Sequence, residues 1–137
     1  MKVVEVVAAV IKKDNKILGT ARGYGEFKGK WEFPGGKLKD NESKIDALKR
    51  EIKEELNADI KVGDYICTVE YDYKDPDFHL IMHTYFCELL SDHMELVYHD
   101  EEKLEHEAIR WLSKDELDSV EWLGADIEIV NKLKELL

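Results

Sequence analysis

The sequence predicts an α/β fold in which a mixed β-sheet lies between helices, and three observations support this class. An apolar run at Val3–Ile11 is typical of a strand that is buried on both faces. Apolar side chains recur with helical spacing between Glu42 and Leu56, and residues 126–137 predict a closing helix. Strand-like and helical segments alternate irregularly along the chain, which indicates a mixed sheet.

The N-terminal third predicts a hairpin, a loop and the start of a helix. Asp14-Asn15 forms the expected turn after the first strand, and Lys16–Ala21 is the hairpin partner of that strand. Residues 22–30 are rich in glycine and predict a loop. The helix that follows has Asp40 or Asn41 as its expected N-cap residue.

The C-terminal part predicts three strands and two helices. The first two of these strands are joined by a turn at Asp75-Pro76, and the third follows a long acidic loop. Ser113 is expected to cap a short helix, with Glu116 completing a capping box. The predicted strands cover residues 58–71, 78–89 and 106–112, and the acidic loop covers residues 91–103.

Length and composition predict one domain, residues 1–137, located in the cytoplasm. The chain is 44% hydrophobic and 37% charged, has no apolar segment long enough to span a bilayer, and starts without a signal pattern. Its net charge of −11 argues against nucleic-acid polymers and anionic membranes as partners. A small nucleotide stays compatible, since bound cations reverse the local field. Cys67 and Cys87 are expected to be buried thiols, and the protein is expected to be a monomer or a homodimer.

An acidic cluster on the first predicted helix is the strongest indication of chemistry. Glu51, Glu54 and Glu55 fall within about a third of the helix circumference, since successive residues are about 100° apart. Like charges at these spacings destabilise a helix, and a hard divalent cation such as Mg²⁺ would offset them. Mn²⁺ is an expected substitute. The alternative interpretation of the cluster is a solvated charged face on an amphipathic helix.

The spacing around this cluster resembles the Nudix box. Gly36 is followed after five residues by Glu42, and after seven more by the segment Arg50–Ala58. Every polar position of the pattern Gly-x5-Glu-x7-Arg-Glu-U-x-Glu-Glu-x-Gly-U, where U is apolar, is present. Its last Gly is replaced by Asn57, which tolerates the left-handed conformation that ends a helix. The resemblance implies an α/β/α sandwich with a catalytic loop-helix.

The segment Trp31–Lys37 is similar to the stretch before the box in MutT-type nucleoside triphosphate pyrophosphohydrolases. That group includes enzymes acting on oxidised dGTP and on CTP-type nucleotides. The resemblance therefore implies Mg²⁺-dependent hydrolysis of a nucleoside triphosphate to the monophosphate and pyrophosphate. The alternatives are hydrolysis of a dinucleotide polyphosphate or a nucleotide sugar, and a non-catalytic nucleotide-sensing module.

The resemblance also implies roles for residues at the phosphate end of a substrate. The carbonyl of Gly35 would join the three box carboxylates as a metal ligand, and Arg50 would pair with Glu42 to brace the loop-helix. Glu54 and Glu105 are competing candidates for the general base, and Glu105 has the alternative of belonging to a generally acidic loop.

Four further residues are candidates for binding the substrate. Arg22 and Lys37 flank the Pro-Gly-Gly turn and are candidates for phosphate contact. Phe78, with Val4, Val6 and Trp122, either sandwiches a base or belongs to the core. Asp126 follows the Gly124-Ala125 turn and either reads a base edge, as the resemblance implies, or caps the last helix.

Overall fold

The computed structural model describes residues 2–23, 25, 27–74, 77–97 and 106–137. They form seven strands, two α-helices and one 3₁₀ helix. The strands are β1 Lys2–Lys13, β2 Lys16–Arg22, β3 Trp31–Glu32, β4 Gly35–Lys37, β5 Ile60–Lys74, β6 Asp77–Leu89 and β7 His106–Ser113. The helices are α1 Lys44–Leu56 and α2 Gly124–Leu136, and the 3₁₀ helix is Lys114–Ser119.

The strands form one mixed sheet. Its path runs β3-β2-β1-β6-β5, with β4 on β1 and β7 on β2. The long β1–β6 pair is parallel and the other pairs are antiparallel. β4 and β2 pair with successive stretches of β1. The predicted Pro34-Gly35-Gly36 turn is a bend at Pro34 that leads directly into β4, which lies against the middle of β1.

Strand β1 separates two hydrophobic cores, as the continuous apolar run predicted. Val7, Ala9 and Ile11 face the core that contains α1. Ala8 and Val10 alternate with them and face the core that contains α2. The sheet is therefore covered by a helix on each face, and the predicted α/β/α arrangement is confirmed.

Helix α1 begins later than predicted. Its N-cap is Ser43, whose hydroxyl accepts a hydrogen bond from the backbone N–H of Asp46 at 3.1 Å. Asn41 has φ of 64°, a left-handed conformation outside the extended region of an N-cap residue, so the prediction of Asn41 was wrong. The helix ends as expected at Asn57, which is left-handed and whose N–H is bonded to the Lys53 carbonyl.

Two short strands were not predicted, and the reason is tertiary. β3 and β4 have two and three residues, too few for any periodicity to show, and they form because β2 and β1 offer open edges. The predicted turn at Asp75-Pro76 and residues 98–103 of the predicted acidic loop lie outside the described residues. Over the described residues, no helix is both long and apolar enough to cross a membrane.

Candidate active site

The Pro34-Gly35-Gly36 turn lies in close contact with two parts of the structure. A Cβ on Gly35 would collide with the carbonyl of Val7 on β1, and one on Gly36 would collide with the carboxylate of Glu51 on α1. Glycine is therefore needed at position 35, where the clash is with backbone, while the missing Cβ of Gly36 leaves the space that the Glu51 carboxylate occupies. This contact places the Gly35 segment beside the acidic face of α1.

The three carboxylates of the predicted cluster have different environments. The side chain of Glu51 is 15% exposed, and Glu55 is buried at 8%. Both line a cleft next to Gly35 and Gly36. Glu54 is 47% exposed and is not among the residues that line this cleft. The structure thus brings Glu51 and Glu55 together at the turn and leaves Glu54 on the outer rim of α1.

Arg50 connects this cluster to the start of the loop-helix, as the resemblance implied. Its Nε and Nη2 donate to the two carboxylate oxygens of Glu42 at 2.7 and 2.9 Å. Its Nη1 donates to Glu51 at 2.8 Å and to Glu54 at 3.2 Å, while Nη2 also donates to the Lys37 carbonyl at 3.1 Å. These hydrogen bonds lower the pKa of Glu42 to about 2 and raise that of Arg50. Arg50 is therefore a positioning residue for the turn and the carboxylates.

The chemistry of the cluster fits a hard divalent cation. Its donors are the Glu51 and Glu55 carboxylates and the Gly35 carbonyl, which are all oxygen ligands. Gly36 supplies a second indication, since its missing Cβ leaves the space into which the Glu51 carboxylate fits. Across the described ranges, no three His, Cys, Asp or Glu side chains lie close enough together to form a complete metal site in this conformation. Among the described residues, Glu51 and Glu55 thus line one cleft without a third such side chain close enough to complete the set in this conformation.

The cleft has a volume of about 520 Å³ and extends from the turn to the start of α2. A cleft of this size accommodates a nucleotide-sized ligand. Nine residues that the sequence predicted as site residues line it: Arg22, Gly35, Lys37, Glu51, Glu55, Phe78 and Asp126, together with Val4 and Val6. The phosphate-binding and base-binding candidates therefore share one cavity.

Asp126 lies at the end of the cleft away from α1. It is 4% exposed, and its Oδ1 accepts the backbone N–H of Phe33 at 3.0 Å. The N-cap residue of α2 is Leu123, so the alternative of Asp126 as a helix cap was wrong. Burial, and next the negative charge of Glu32, raise the pKa of Asp126 well above its usual range. Asp126 is therefore held as a buried carboxyl that favours its protonated form.

Three cleft residues were missed by the sequence interpretation: Glu32, Phe27 and Tyr73. Tyr73 stacks on Phe78 at 4.9 Å and meets Phe27 at 5.4 Å, forming an aromatic wall. Its hydroxyl accepts the N–H of Ala125 at 3.2 Å, and burial raises its pKa to about 12. Glu32 lies 3.8 Å from the Nε of Arg22. The available signal was an aromatic residue, Phe27, within a loop that is otherwise rich in glycine and charged residues.

Several candidates are not part of this cleft. Trp122 stacks on Phe33 in the core at 4.7 Å, and its indole N–H donates to the Leu117 carbonyl. Glu105 lies outside the described residues. Two histidines on β6 also lie outside the cleft: His79 bonds to Asp72 and Glu70 on the exposed sheet face, and His83 bonds to Glu5.

The mixed sheet between two helices, with a carboxylate-bearing loop-helix at a nucleotide-sized cleft, defines the class of protein. Residues 1–133 match the family model of the NUDIX domain. The chain belongs to the Nudix family, and the prediction of a pyrophosphohydrolase of that family is confirmed.

Individual relatives agree with this assignment. The chain is 34% identical over 137 residues to the CTP pyrophosphohydrolase of Escherichia coli K12, covering 99% of this chain and 95% of the relative. It is 37% identical over 83 residues to the 8-oxo-dGTP diphosphatase of Proteus vulgaris, covering 59% of this chain and 72% of that protein. The crystal structure of a MutT Nudix hydrolase from Burkholderia pseudomallei superposes with a TM-score of 0.85 at 26% identity, covering 97% of this chain and 99% of that one.

Proposed function

We propose that the chain is a Mg²⁺-dependent enzyme that hydrolyses a nucleoside triphosphate to the nucleoside monophosphate and pyrophosphate. One observation carries the proposal: a single cleft is lined by Glu51 and Glu55 at one end and by Asp126 with an aromatic wall at the other. The relatives named for CTP and for 8-oxo-dGTP support a CTP- or dCTP-type substrate or an oxidised dGTP.

At the phosphate end, each group of the chain has a separate task. Glu51, Glu55 and the Gly35 carbonyl would hold Mg²⁺, with Glu54 joining them from the rim. When bound, Mg²⁺ supplies charge neutralisation for the phosphates and makes a water molecule more acidic. Lys37 and Arg22 line the same cleft and would contact phosphate oxygens.

The reaction itself breaks one bridging P–O bond. Water adds to phosphorus, its proton passes to a carboxylate base, and pyrophosphate leaves with the electrons of the broken bond. Glu54 is one candidate for the base, and it is 47% exposed at the rim of the carboxylate cluster, where Arg50 contacts it at 3.2 Å. Glu105 is the other candidate.

At the base end, Asp126 and Glu32 provide the polar groups. Because burial raises its pKa, Asp126 favours the protonated form, in which it can donate as well as accept a hydrogen bond. The neighbouring Glu32 side chain adds acceptor oxygens. Cytosine presents an amino donor beside a ring-nitrogen acceptor, and an oxidised guanine presents amino and imino donors beside a carbonyl. The pair complements either base, and Phe78 and Tyr73 supply the stacking surface.

The test is turnover of a panel of nucleotides with Mg²⁺, comparing kcat/KM among cytidine, oxidised guanine and unmodified purine triphosphates, a dinucleotide polyphosphate and a nucleotide sugar. Glu54→Gln should lower kcat by at least about 10²-fold, the scale of losing a base or charge stabiliser, without unfolding the protein. Glu88→Gln, an exposed carboxylate on β6, is the matched control. Near-normal turnover of Glu54→Gln with several metals would remove the box carboxylate from the mechanism.

A further inference from the structure

Helix α2 is capped by a side chain from another element. Its own N-cap residue is Leu123, whose side chain has no atom that accepts a hydrogen bond. The first N–H groups of a helix have no partner within the helix and need an acceptor from elsewhere. For Ala125, in the first turn of α2, that acceptor is the hydroxyl oxygen of Tyr73 on β5, at 3.2 Å.

A second tyrosine of β5 packs on the same turn of α2. A Cβ on Gly124 would collide with the hydroxyl and the ring of Tyr71, so glycine at this position lets that ring lie directly against the helix backbone. The rings of Tyr71 and Tyr73 meet at 4.7 Å, as expected for two side chains on one face of a strand. The first turn of α2 is therefore held on β5 by two neighbouring aromatic side chains.

The turn held in this way carries Asp126. The Asp126 carboxyl accepts the N–H of Phe33 at 3.0 Å, which fixes it from the side of the turn before β4. The ring of Tyr73 stacks on Phe78, its cross-strand partner on β6, at 4.9 Å. Tyr73 thus contacts the aromatic wall through its ring and the residue before Asp126 through its hydroxyl.

We propose that Tyr73 is a positioning residue for base recognition, and that its hydroxyl holds the first turn of α2 so that Asp126 lies at a fixed distance from the aromatic wall. The inference rests on the proposed function and deepens it, since it names a determinant of base preference. A serine at the N-cap position would satisfy a first-turn N–H as well. Only an acceptor that belongs to the wall also sets the separation between the wall and the carboxyl.

The consequence concerns binding of the base more than the chemical step. A hydrogen bond to a base edge needs its two heavy atoms within about 2.7–3.2 Å, so a small displacement of Asp126 weakens discrimination between bases. The carboxylates Glu51 and Glu55 lie at the other end of the cleft and do not depend on the start of α2.

The experiment compares Tyr73→Phe with Tyr65→Phe. The first keeps the stacked ring and removes the acceptor for Ala125. The second removes an exposed hydroxyl of the same strand, which bonds to Thr68 at 2.7 Å, and serves as the matched control. For each protein, kcat and KM are measured with Mg²⁺ for cytidine, oxidised guanine and adenine triphosphates. Amide hydrogen exchange by NMR reports directly on the Ala125 N–H.

Tyr73→Phe should raise KM for the preferred triphosphate and reduce the preference between bases about fivefold, the scale of one neutral hydrogen bond, while kcat changes less than about twofold. Exchange of the Ala125 amide should become faster, and that of amides in the middle of α2 should not. In Asp126→Ala, the further change Tyr73→Phe should leave the base preference as it is, because the group it positions is absent. Tyr65→Phe should match the wild type throughout.

Two outcomes would overturn the inference: an Ala125 amide that exchanges at the wild-type rate in Tyr73→Phe, or faster exchange with an unchanged preference between bases. Failure of the proposed function has a different signature, which is absence of turnover for every triphosphate. The base preference is then measured as Kd for CMP, GMP and AMP in the wild type and in Tyr73→Phe. Equal changes in all three Kd values, or none, would refute the positioning role.

Discussion

The guanidinium of Arg50 forms a bidentate hydrogen bond with the carboxylate of Glu42, from Nε at 2.7 Å and from Nη2 at 2.9 Å. This paired geometry uses one edge of the guanidinium and leaves Nη1 for Glu51 and Glu54. Glu42 precedes α1 and Glu51 lies in its second turn, so one side chain ties the loop to the acidic face. Activity should therefore depend on the shape of this cation as well as on its charge.

Arg50→Lys tests that dependence, because an ammonium group keeps the charge but cannot bond both Glu42 oxygens, Glu51 and the Lys37 carbonyl together. We expect a loss of about 1–2 kcal/mol in the free energy of unfolding, after allowing for the partial exposure of these groups. We also expect weaker Mg²⁺ binding and a lower kcat. Urea unfolding and calorimetric Mg²⁺ titration measure these effects, with Lys49→Arg on the same helix as the control. Wild-type values for both quantities would show that Arg50 acts through charge alone.

The Glu42 carboxylate makes the stability contributed by the Arg50–Glu42 pair depend on pH. Its pKa is about 2 in the folded protein, below the usual value near 4.5, because Arg50 stabilises the ionised form. The pair therefore contributes stability above pH about 4.5, and this contribution is lost as the pH falls towards about 2. Glu42→Gln should show a smaller loss of stability across that window than the wild type, measured by urea unfolding in EDTA. Parallel pH profiles for the two proteins would contradict the pairing.

Much of the fold follows from local patterns in the sequence. The double-sided apolar run of β1, the amphipathic α1 and the left-handed end of that helix at Asn57 are all signals within a few residues, and the structure has each of them. The short strands β3 and β4 depend on pairing with β2 and β1, which lie earlier in the chain, so no local pattern predicts them.

The site likewise combines features that follow from local sequence patterns with features that depend on contacts between distant residues. The spacing of the box carboxylates with Gly36 is a local signal that predicted a cluster of three; in the structure Glu51 and Glu55 line the cleft at Gly36, whereas Glu54 does not. The aromatic wall of Phe27, Tyr73 and Phe78 joins a loop to two strands, and the Asp126–Phe33 bond spans 93 residues. Contacts of that kind depend on the folded chain and not on sequence spacing.

Mg²⁺ should stabilise the folded protein, because a ligand of the native state adds RT ln(1 + [L]/Kd) to the free energy of unfolding. At a hundred times Kd the gain is about 2.7 kcal/mol, which a thermal melt resolves. The measurement is Tm from micromolar to tens of millimolar Mg²⁺ at constant ionic strength. Glu55→Gln, which removes a buried charge from the cleft, should reduce the response, while Glu88→Gln should retain it. A Tm that does not change over this range would remove the metal site.

Asp126 combines two functions that separate variants can distinguish. Its carboxyl accepts the buried N–H of Phe33, so Asp126→Ala should leave that donor unsatisfied and cost about 1–3 kcal/mol of stability. Asp126→Asn can keep this bond through its amide oxygen. Because the pKa of Asp126 is raised in the folded state, the wild type loses stability as the pH rises above about 4, the unfolded value. Asp126→Asn should lack this loss. In urea unfolding between pH 5 and 8, the free energy of unfolding of the variant should therefore rise relative to that of the wild type as the pH increases.

Base recognition by Asp126 is tested on the same two variants. If the carboxyl reads the base edge, Asp126→Ala should raise KM for the preferred triphosphate and reduce the preference between bases by about 1–3 kcal/mol, the scale of a good base-edge contact. Asp126→Asn should also alter the preference, because its amide fixes the donor and acceptor positions that the carboxyl can exchange. Triphosphates whose bases lack the recognised amino group should be affected little by either change. The measurement is kcat/KM for three or more triphosphates with each variant. Unchanged ratios between bases, alongside the expected stability loss in Asp126→Ala, would limit Asp126 to holding the Phe33 backbone and transfer base recognition to Glu32 and the aromatic wall.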